Sequence, residues 1–271
     1  MTRAGPRNFP RTVIRGVSGV VLDLDGVIVD SEHLWEQSWA ARCTRRGVAW
    51  TIEDTATCQG MSPPEWARYL AGKLGKLGEP HAARQIEDEC VGHVVDAIRD
   101  GHAPLLIGAW DLIRRVGAHV PLALASSAAR RVIDAVLSHH RIGERFEATV
   151  SSEEVPRGKP SPDVYTEAAR RIGVRVDNGI AVEDSSNGIR AAHAAGLSVV
   201  AIPNPVYPPK PDALRLADHV AADHDDVLAY LLARLRGDDG GRASAAAGVG
   251  HRFVRQRLSI PRRAVRQGRR R

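Results

Sequence analysis

The sequence predicts a doubly wound α/β fold: a parallel sheet with helices on both faces, and an all-helical segment inserted after the first strand. Apolar runs at residues 20–22, 120–125 and 180–182 predict buried strands, and helical periodicity follows the second and third runs. Strands that alternate with helical patterns are typical of parallel sheets. At 271 residues the chain is long enough for one main domain and a smaller one.

Two carboxylates follow the first predicted strand. Asp23 and Asp25 come directly after residues 20–22, and Gly26 lets the chain turn away. Strand residues two apart point to the same side, and ligands bind at the carboxyl ends of parallel strands. Because carboxylates this close repel each other unless they share a cation or a proton, the pair indicates a nucleophile and an acid/base group. The alternative is a helix N-cap or a solvated turn.

Hydroxyl groups follow the second predicted strand. Ser126 and Ser127 precede a helical pattern that continues to about Leu137. A hydroxyl and free backbone N–H groups at a helix start suit a phosphate oxygen, although the usual role of serine at this place is to cap the helix.

A lysine and a second pair of carboxylates complete the set. Lys159 lies in a proline-containing turn, residues 158–163, where a fixed ammonium can neutralise a nucleophilic carboxylate and a phosphoryl group. Glu183 and Asp184 follow residues 180–182 and supply the second half of a magnesium site. Taken alone, the lysine fits an ordinary turn, and the carboxylates fit the positive end of the next helix. Together the features predict one site, because each lies at the same predicted edge of one sheet.

Helical periodicity fills residues 33–101, between hinges near residues 30–32 and 102–104. We expect this segment to be an inserted helical domain, and residues 17–32 and 102–236 to form the α/β core. Three tryptophans of this segment are expected to pack between its helices: Trp35, Trp39 and Trp66. For Trp39 the alternative is stacking on a substrate.

These residues resemble the haloacid dehalogenase superfamily of aspartate-nucleophile phosphotransferases, in its branch with a helical cap after the first motif. The resemblance covers about residues 17–235. It rests on Asp-Leu-Asp-Gly-Val-Ile-Val-Asp-Ser-Glu at 23–32, Ala-Ser-Ser at 125–127, Gly-Lys-Pro-Ser-Pro-Asp at 158–163 and Glu-Asp-Ser-Ser-Asn-Gly at 183–188. The dehalogenating branch lacks the second aspartate and the ion-pumping branch has threonine there, so Asp25 favours phosphatase or phosphomutase chemistry.

The resemblance implies a role for each motif. Asp23 attacks phosphorus to form an aspartyl-phosphate, and Asp25 protonates the leaving alkoxide and then activates the hydrolytic water. The phosphoryl oxygens are bound by Ser126, Ser127 and Lys159. The implied cofactor is Mg²⁺, which prefers oxygen ligands, and its ligands are Asp23, the backbone carbonyl of Asp25, Asp184 and, directly or through water, Glu183.

The resemblance also bears on the choice between a phosphatase and a β-phosphoglucomutase-like phosphomutase. A mutase needs cationic groups on the cap for a distal phosphate. This chain has Pro63 where those relatives supply an arginine, Trp35 at the place of their hinge histidine, and Ala129 and Arg130 in place of a Lys-Asn pair. Arg130 and Arg68 remain as substitutes.

Composition sets the other expectations. No apolar run approaches the 18 residues of a membrane span, and the arginines near the start are not followed by the apolar stretch of a secretory signal. Cys43, Cys58 and Cys90 have no metal-ligand spacing. We therefore expect reduced thiols in a cytoplasmic protein.

The C-terminal residues differ from the rest of the chain. Residues 238–271 hold ten Arg and two Asp, a net charge of +8 in a chain whose total is +6. Because high charge with low hydrophobicity does not support a packed core, we expect a disordered N-terminal arm, residues 1–16, and a disordered basic tail, residues 237–271. The alternative is that the tail binds nucleic acid or an acidic surface.

The sequence therefore predicts a Mg²⁺-dependent phosphatase acting on a small phosphorylated metabolite, with a sugar phosphate as the expected substrate. A sugar phosphomutase is the second candidate. A non-catalytic protein that binds through its basic tail is the third, and the intact set of four motifs argues against it.

Overall fold

The computed structural model describes residues 16–76, 78–79 and 81–237. The predicted N-terminal arm (1–16) and basic tail (237–271) lie outside the described residues, apart from Gly16 and Gly237.

Six parallel strands form the sheet, in the order β3-β2-β1-β4-β5-β6. Their bounds are β1 Gly19–Leu22, β2 Leu122–Ser126, β3 Ala148–Ser151, β4 Gly179–Glu183, β5 Ser198–Ala201 and β6 His219–Val220. The first strand lies in the middle, where Val21 pairs with Ala123 of β2 on one side and with Ala181 of β4 on the other. The chain therefore winds outward in both directions from β1, and the predicted doubly wound fold is confirmed.

Alternate residues of the strands face opposite sides of the sheet. Val20 and Leu22 belong to an apolar cluster with α5 (Ala109–Val116), α6 (Arg130–His139) and α10 (His224–Arg236). Val21 belongs to a second cluster on the other face, with α7 (Asp163–Arg171), α8 (Ser186–Ala194) and the short α9 (Pro211–Leu214). Because both faces are covered, the strands are buried and apolar along their length.

Four helices lie between β1 and α5: α1 Glu32–Thr44, α2 Ile52–Cys58, α3 Pro63–Lys73 and α4 Ala82–Arg99. They fill the predicted inserted segment, called the cap here. Capping boxes begin α2 at Thr51 and α3 at Ser62, and Pro63 occupies the first helical position of α3. The apolar side chains of the cap continue the cluster that covers one face of the sheet.

An ion pair between α2 and α3 joins a buried carboxylate of the cap to a partly exposed lysine. Asp54 Oδ1 accepts hydrogen bonds from Lys73 Nζ at 2.9 Å and from Tyr69 Oη at 2.6 Å. Asp54 Oδ2 accepts one from the backbone N–H of Thr51 at 2.7 Å. These donors to the charged carboxylate hold the pKa of Asp54 at about 2, although burial alone raises it.

The cap tryptophans pack against one another, as expected. Trp35, Trp39 and Trp66 form a triangle with ring centroids 5.7 to 5.9 Å apart. Trp50 extends the group, with its ring centroid 5.7 Å from that of Trp39. All three members of the triangle are buried, and they also form one side of the cavity described below.

Among the helices of the described ranges, none combines the length and apolar character needed to span a lipid bilayer. Cys43, Cys58 and Cys90 are free thiols, all buried in the cap. Burial raises the pKa of the Cys58 thiol to about 12, so this group stays in its unreactive protonated form.

Candidate active site

The carboxyl ends of the two central strands bring three carboxylates together. Asp23 follows β1, Glu183 is the last residue of β4, and Asp184 comes next. One carboxylate oxygen from each lies within 4.8 Å of the others, and all three residues are buried. The register of β1 against β4, with Leu22 beside Val182, places the two strand ends side by side.

Lys159 lies at the centre of this group. It comes from the loop before α7, and its ammonium is 2.7 Å from Asp23 Oδ1 and 2.6 Å from Glu183 Oε1. The side chain is only 2% exposed, so the ammonium is inaccessible to bulk water. The two carboxylates keep it charged and raise its pKa despite the opposing effect of burial.

Glu183 is held by donors on both of its oxygens. Oε1 accepts from Lys159 and from Tyr165 Oη at 3.0 Å. Oε2 accepts from the backbone N–H of Ser185 at 2.8 Å and from its hydroxyl at 3.0 Å. Gly188 is required beside it, because a Cβ there would lie 1.5 Å from Glu183 Oε1. The carboxylate is therefore fixed in one orientation.

Asp184 differs from Glu183 in its hydrogen bonding. In the described residues its Oδ2 is buried and has no hydrogen-bond partner. Gly26 packs directly against it with φ +73°, and a Cβ at that position would lie 2.0 Å from Asp184 Oδ2. A buried carboxylate oxygen without a donor is costly, and a bound cation would satisfy it.

The charges of the site are unbalanced. Four carboxylates, those of Asp23, Asp25, Glu183 and Asp184, lie near one ammonium. Burial raises the pKa of Asp184 well above its ordinary value, and Glu32, Glu183 and Asp23 raise it further. Burial also raises the pKa of Asp23, although Lys159 opposes the effect. The donor set is all oxygen and carries excess negative charge, so these residues fit a hard divalent cation such as Mg²⁺.

Asp25 is fixed by two donors from the beginning of the cap. Its Oδ1 accepts hydrogen bonds from the hydroxyl of Ser31 and from the indole Nε1 of Trp35, the latter at 3.3 Å. Burial raises the pKa of this carboxyl. The group therefore lies beside Asp23 in an environment that favours its protonated form.

The two predicted serines occupy different positions. Ser126 is fully buried at the end of β2, and its Oγ accepts a hydrogen bond from the backbone N–H of Ala128 at 2.9 Å. Ser127 lines the cavity, and its Oγ donates to the carbonyl of Gly60 in the cap at 3.0 Å. Ser127 therefore links the core to the cap across the site.

A cavity lies over this group, between the core and the cap. On the core side it is lined by Asp23, Asp25, Lys159 and Asp184. On the cap side it is lined by the tryptophan triangle, Cys58, and the loop at residues 59–61. Two contacts hold this loop against the core: Ser127 donates to the Gly60 carbonyl at 3.0 Å, and Asn187 donates to the Gln59 carbonyl at 3.4 Å. Within the cap, the Gln59 side chain donates to Glu32.

Some residues of the site were not predicted from the sequence. Ser31 and Trp35 hold Asp25, Tyr165 holds Glu183, and Glu32 joins the cap loop to Asn204 of the core. Ser31 and Glu32 are the last two residues of the first motif, 23–32, and their place in it was the only available signal. Tyr165 had none, because its contact with Glu183 depends on how α7 packs on the sheet.

The comparison with protein families decides the assignment. A family model described as haloacid dehalogenase-like hydrolase matches residues 17–196. The chain belongs to this family. The match includes all the motifs that carry the predicted site, and the resemblance stated from the sequence is confirmed.

Several relatives are named as phosphatases. The chain is 31% identical over 202 residues to the probable pseudouridine-5'-phosphatase of Drosophila melanogaster, covering 71% of this chain and 84% of that protein. It is 27% identical over 187 residues to a fructose-1-phosphate phosphatase of Escherichia coli, covering 68% and 95%. A further match is the bifunctional riboflavin kinase/FMN phosphatase of Arabidopsis thaliana, 30% identical over 227 residues; the match covers 79% of this chain but about half, 54%, of that protein.

The fold also matches solved structures. The crystal structure of β-phosphoglucomutase from Clostridium difficile aligns with a TM-score of 0.71 at 21% identity, covering 82% of this chain and 98% of that one. At this identity the likeness concerns the fold, a parallel α/β core with a helical cap. Together with the named relatives, family membership confirms the prediction of a phosphoric monoester hydrolase.

Proposed function

We propose that this protein is a Mg²⁺-dependent phosphatase that hydrolyses a small phosphorylated metabolite, a sugar phosphate, through an aspartyl-phosphate on Asp23. The observation that carries the proposal is the buried group of Asp23, Lys159 and Asp184, in which Asp184 Oδ2 has no partner among the described residues. One nucleophilic oxygen, one fixed ammonium and one unsatisfied carboxylate oxygen are what phosphoryl transfer by positioning and charge stabilisation requires.

In the first step, a carboxylate oxygen of Asp23 attacks phosphorus and the bond between phosphorus and the alcohol oxygen breaks. Lys159 lies 2.7 Å from Asp23 Oδ1, so its ammonium is close enough to stabilise charge on the transferring phosphoryl group as well. Glu183 keeps the ammonium in place. Because the lysine is buried, its charge is screened little by water.

Asp25 is the proposed general acid and base of the reaction. Its raised pKa supports a protonated carboxyl that gives its proton to the leaving alkoxide oxygen. The resulting carboxylate then takes a proton from water as that water attacks phosphorus, which releases phosphate and restores Asp23. Ser31 and Trp35 are proposed to position this carboxyl between the two steps.

Asp23, Asp184 and the backbone carbonyl of Asp25 are proposed to hold the metal. When bound, Mg²⁺ offsets the negative charge of the carboxylates and of the phosphate. Glu183 stood among the predicted ligands, directly or through water. Its two oxygens already accept four hydrogen bonds. This supports a role in which Glu183 does not bind the metal directly and instead positions Lys159.

The contacts of two arginines favour a phosphatase over a phosphomutase. Arg130 binds Thr149 and Glu154 on the core surface, and Arg68 is exposed on α3. Neither lines the cavity, so neither supports binding of a distal phosphate. One named relative acts on fructose 1-phosphate, which supports a sugar phosphate as the substrate class.

The test is a set of hexose and pentose monophosphates incubated with the full chain, with and without Mg²⁺, with phosphate and isomerised sugar phosphate both measured. We expect phosphate release that needs Mg²⁺ and no sugar bisphosphate. Interconversion of 1- and 6-phosphates, stimulated by a bisphosphate and with little free phosphate, would instead establish a mutase. No turnover in any condition would favour the non-catalytic alternative.

A further inference from the structure

The cap side of the cavity differs in chemistry from the core side. The triangle of Trp35, Trp39 and Trp66 lies there together with Cys58 and Met61. The ring centroids of the triangle are less than 6 Å apart, so the indoles pack on one another and form a continuous surface. This indole surface carries no positive charge to compensate an anion that has lost its water. It does carry one buried donor that has no partner in the described residues, the Nε1 of Trp39, which suits a neutral hydroxyl group as well.

Cations are confined to the core side. Of the described residues that line the cavity, Lys159 is the only lysine or arginine. Its ammonium is already paired with two carboxylates. Two cations of the cap are paired away from the cavity lining, since Lys73 binds Asp54 and Arg42 binds Glu89.

The cap side does carry one acidic group. Glu32 lines the cavity and accepts hydrogen bonds from the side-chain amides of Gln59 and Asn204. Both partners are neutral donors, which suit the ionised carboxylate and do not cancel its charge. Among the described residues no cation forms an ion pair with Glu32, so an acidic side chain without a balancing positive charge faces this side of the cavity.

We infer that the alcohol released by this phosphatase carries no anionic group. This inference rests on the proposed function and narrows it: phosphate esters of neutral polyols and sugars are accepted, and esters whose alcohol bears a carboxylate or a second phosphate are rejected. The physical reason is twofold. An anion on the alcohol would lose its water against the indole surface, and it would be repelled by Glu32.

The first test uses pairs of esters that differ in one group. Glycerol 3-phosphate is compared with 3-phosphoglycerate, glucitol 6-phosphate with 6-phosphogluconate, and glucose 6-phosphate with glucose 1,6-bisphosphate, by phosphate release at saturating Mg²⁺. Placing like charges together costs several kcal/mol, so we expect kcat/KM to favour the neutral member by about 100-fold. Equal rates, or a preference for the anionic member, would overturn the inference.

The second test adds a cation to the cap side. Met61 lines the cavity and is partly buried, so Met61→Arg should shift the preference toward the carboxylated ester by about 10-fold or more. Met61→Gln has a similar size without the charge and should not produce that shift. Thr57→Arg adds the same charge at an exposed position outside the cavity lining, and should leave the ratio unchanged.

The outcomes separate the two proposals. Release of phosphate from the anionic esters at least as fast as from the neutral ones would leave the phosphatase intact and refute the restriction on the alcohol. An unchanged ratio in a folded Met61→Arg variant would also refute it. Absence of release from every ester, including p-nitrophenyl phosphate, would refute the proposed function and with it this inference.

Discussion

Asp23 in the core and Asp54 in the cap are both buried aspartates paired with a lysine, at 2.7 and 2.8 Å. A tyrosine hydroxyl completes each group, from Tyr165 through Glu183 in the core and from Tyr69 directly in the cap. The pKa values of the two aspartates are shifted in opposite directions. The pKa of Asp23 is raised by burial to about 8, whereas donors hold that of Asp54 at about 2.

The difference comes from the number of carboxylates around each ammonium. In the cap, Lys73 and Tyr69 both donate hydrogen bonds to one carboxylate, which also accepts one from the backbone N–H of Thr51. In the core, the ammonium of Lys159 forms ion pairs with Asp23 and Glu183 and lies near two further carboxylates. The cap group is satisfied by the protein alone, which is the property of a structural ion pair. The core group has a surplus of negative charge, which is typical of functional sites.

The largest effect is expected from Asp23→Asn. The amide is a poor nucleophile, so phosphate release should fall by roughly 10⁴-fold or more. The same change removes one of the crowded carboxylates while Lys159 keeps Glu183, so the free energy of unfolding in Mg²⁺-free buffer should stay the same or rise. Steady-state phosphate release and denaturant unfolding measure the two quantities. Near-normal activity would refute the covalent mechanism.

A smaller loss is expected from Asp25→Asn. General acid/base catalysis is worth about 10²- to 10⁴-fold, so formation and hydrolysis of the aspartyl-phosphate should both slow within that range. The Mg²⁺ concentration needed for half-maximal activity should not change, because the proposed ligand is the backbone carbonyl of Asp25. Rapid-quench kinetics distinguish the two steps, and unchanged rates in both would contradict the assignment.

Asp184→Ala tests the surplus charge itself. Removing the unpartnered Oδ2 should raise the half-saturating Mg²⁺ concentration roughly 100-fold. A readout independent of activity is available, because a metal that binds the folded state raises the midpoint of thermal unfolding. We expect Mg²⁺ to stabilise the wild-type protein, EDTA to remove that effect, and the variant to show little of it. Stabilisation of the variant equal to that of the wild type would place the ion elsewhere.

The sequence predicted those strands and site residues whose signal lies in a short run of consecutive residues, and it missed those that depend on tertiary packing. Strands β1, β2 and β4 were predicted because buried parallel strands are continuous apolar runs. The sequence Ala-Thr-Val-Ser of β3 and the two residues of β6, at the sheet edges, give no such run. Lys159 and Asp184 lie in recognisable motifs, but Tyr165 reaches Glu183 from a helix whose sequence shows only an amphipathic face.

The smallest effect on catalysis is expected at Asp54, where the cap pair is satisfied. Asp54→Asn should leave kcat unchanged and destabilise the fold. Because the pKa is depressed from 3.8 to about 2, the stabilisation is present above the unfolded-state pKa and is lost as pH falls through the folded one. Linkage gives about 2 kcal/mol at pH 7, falling to roughly half of that at pH 3.

The measurement is the difference in free energy of unfolding between wild type and variant at these two pH values. Asp96→Asn is the matched control, since Asp96 is exposed and contacts Arg99 at 3.5 Å, and such surface pairs contribute under about 1 kcal/mol. A pH-independent difference would mean that Asp54 acts through packing alone. A fall in kcat comparable to that of Asp25→Asn would remove the distinction between the structural pair and the catalytic one.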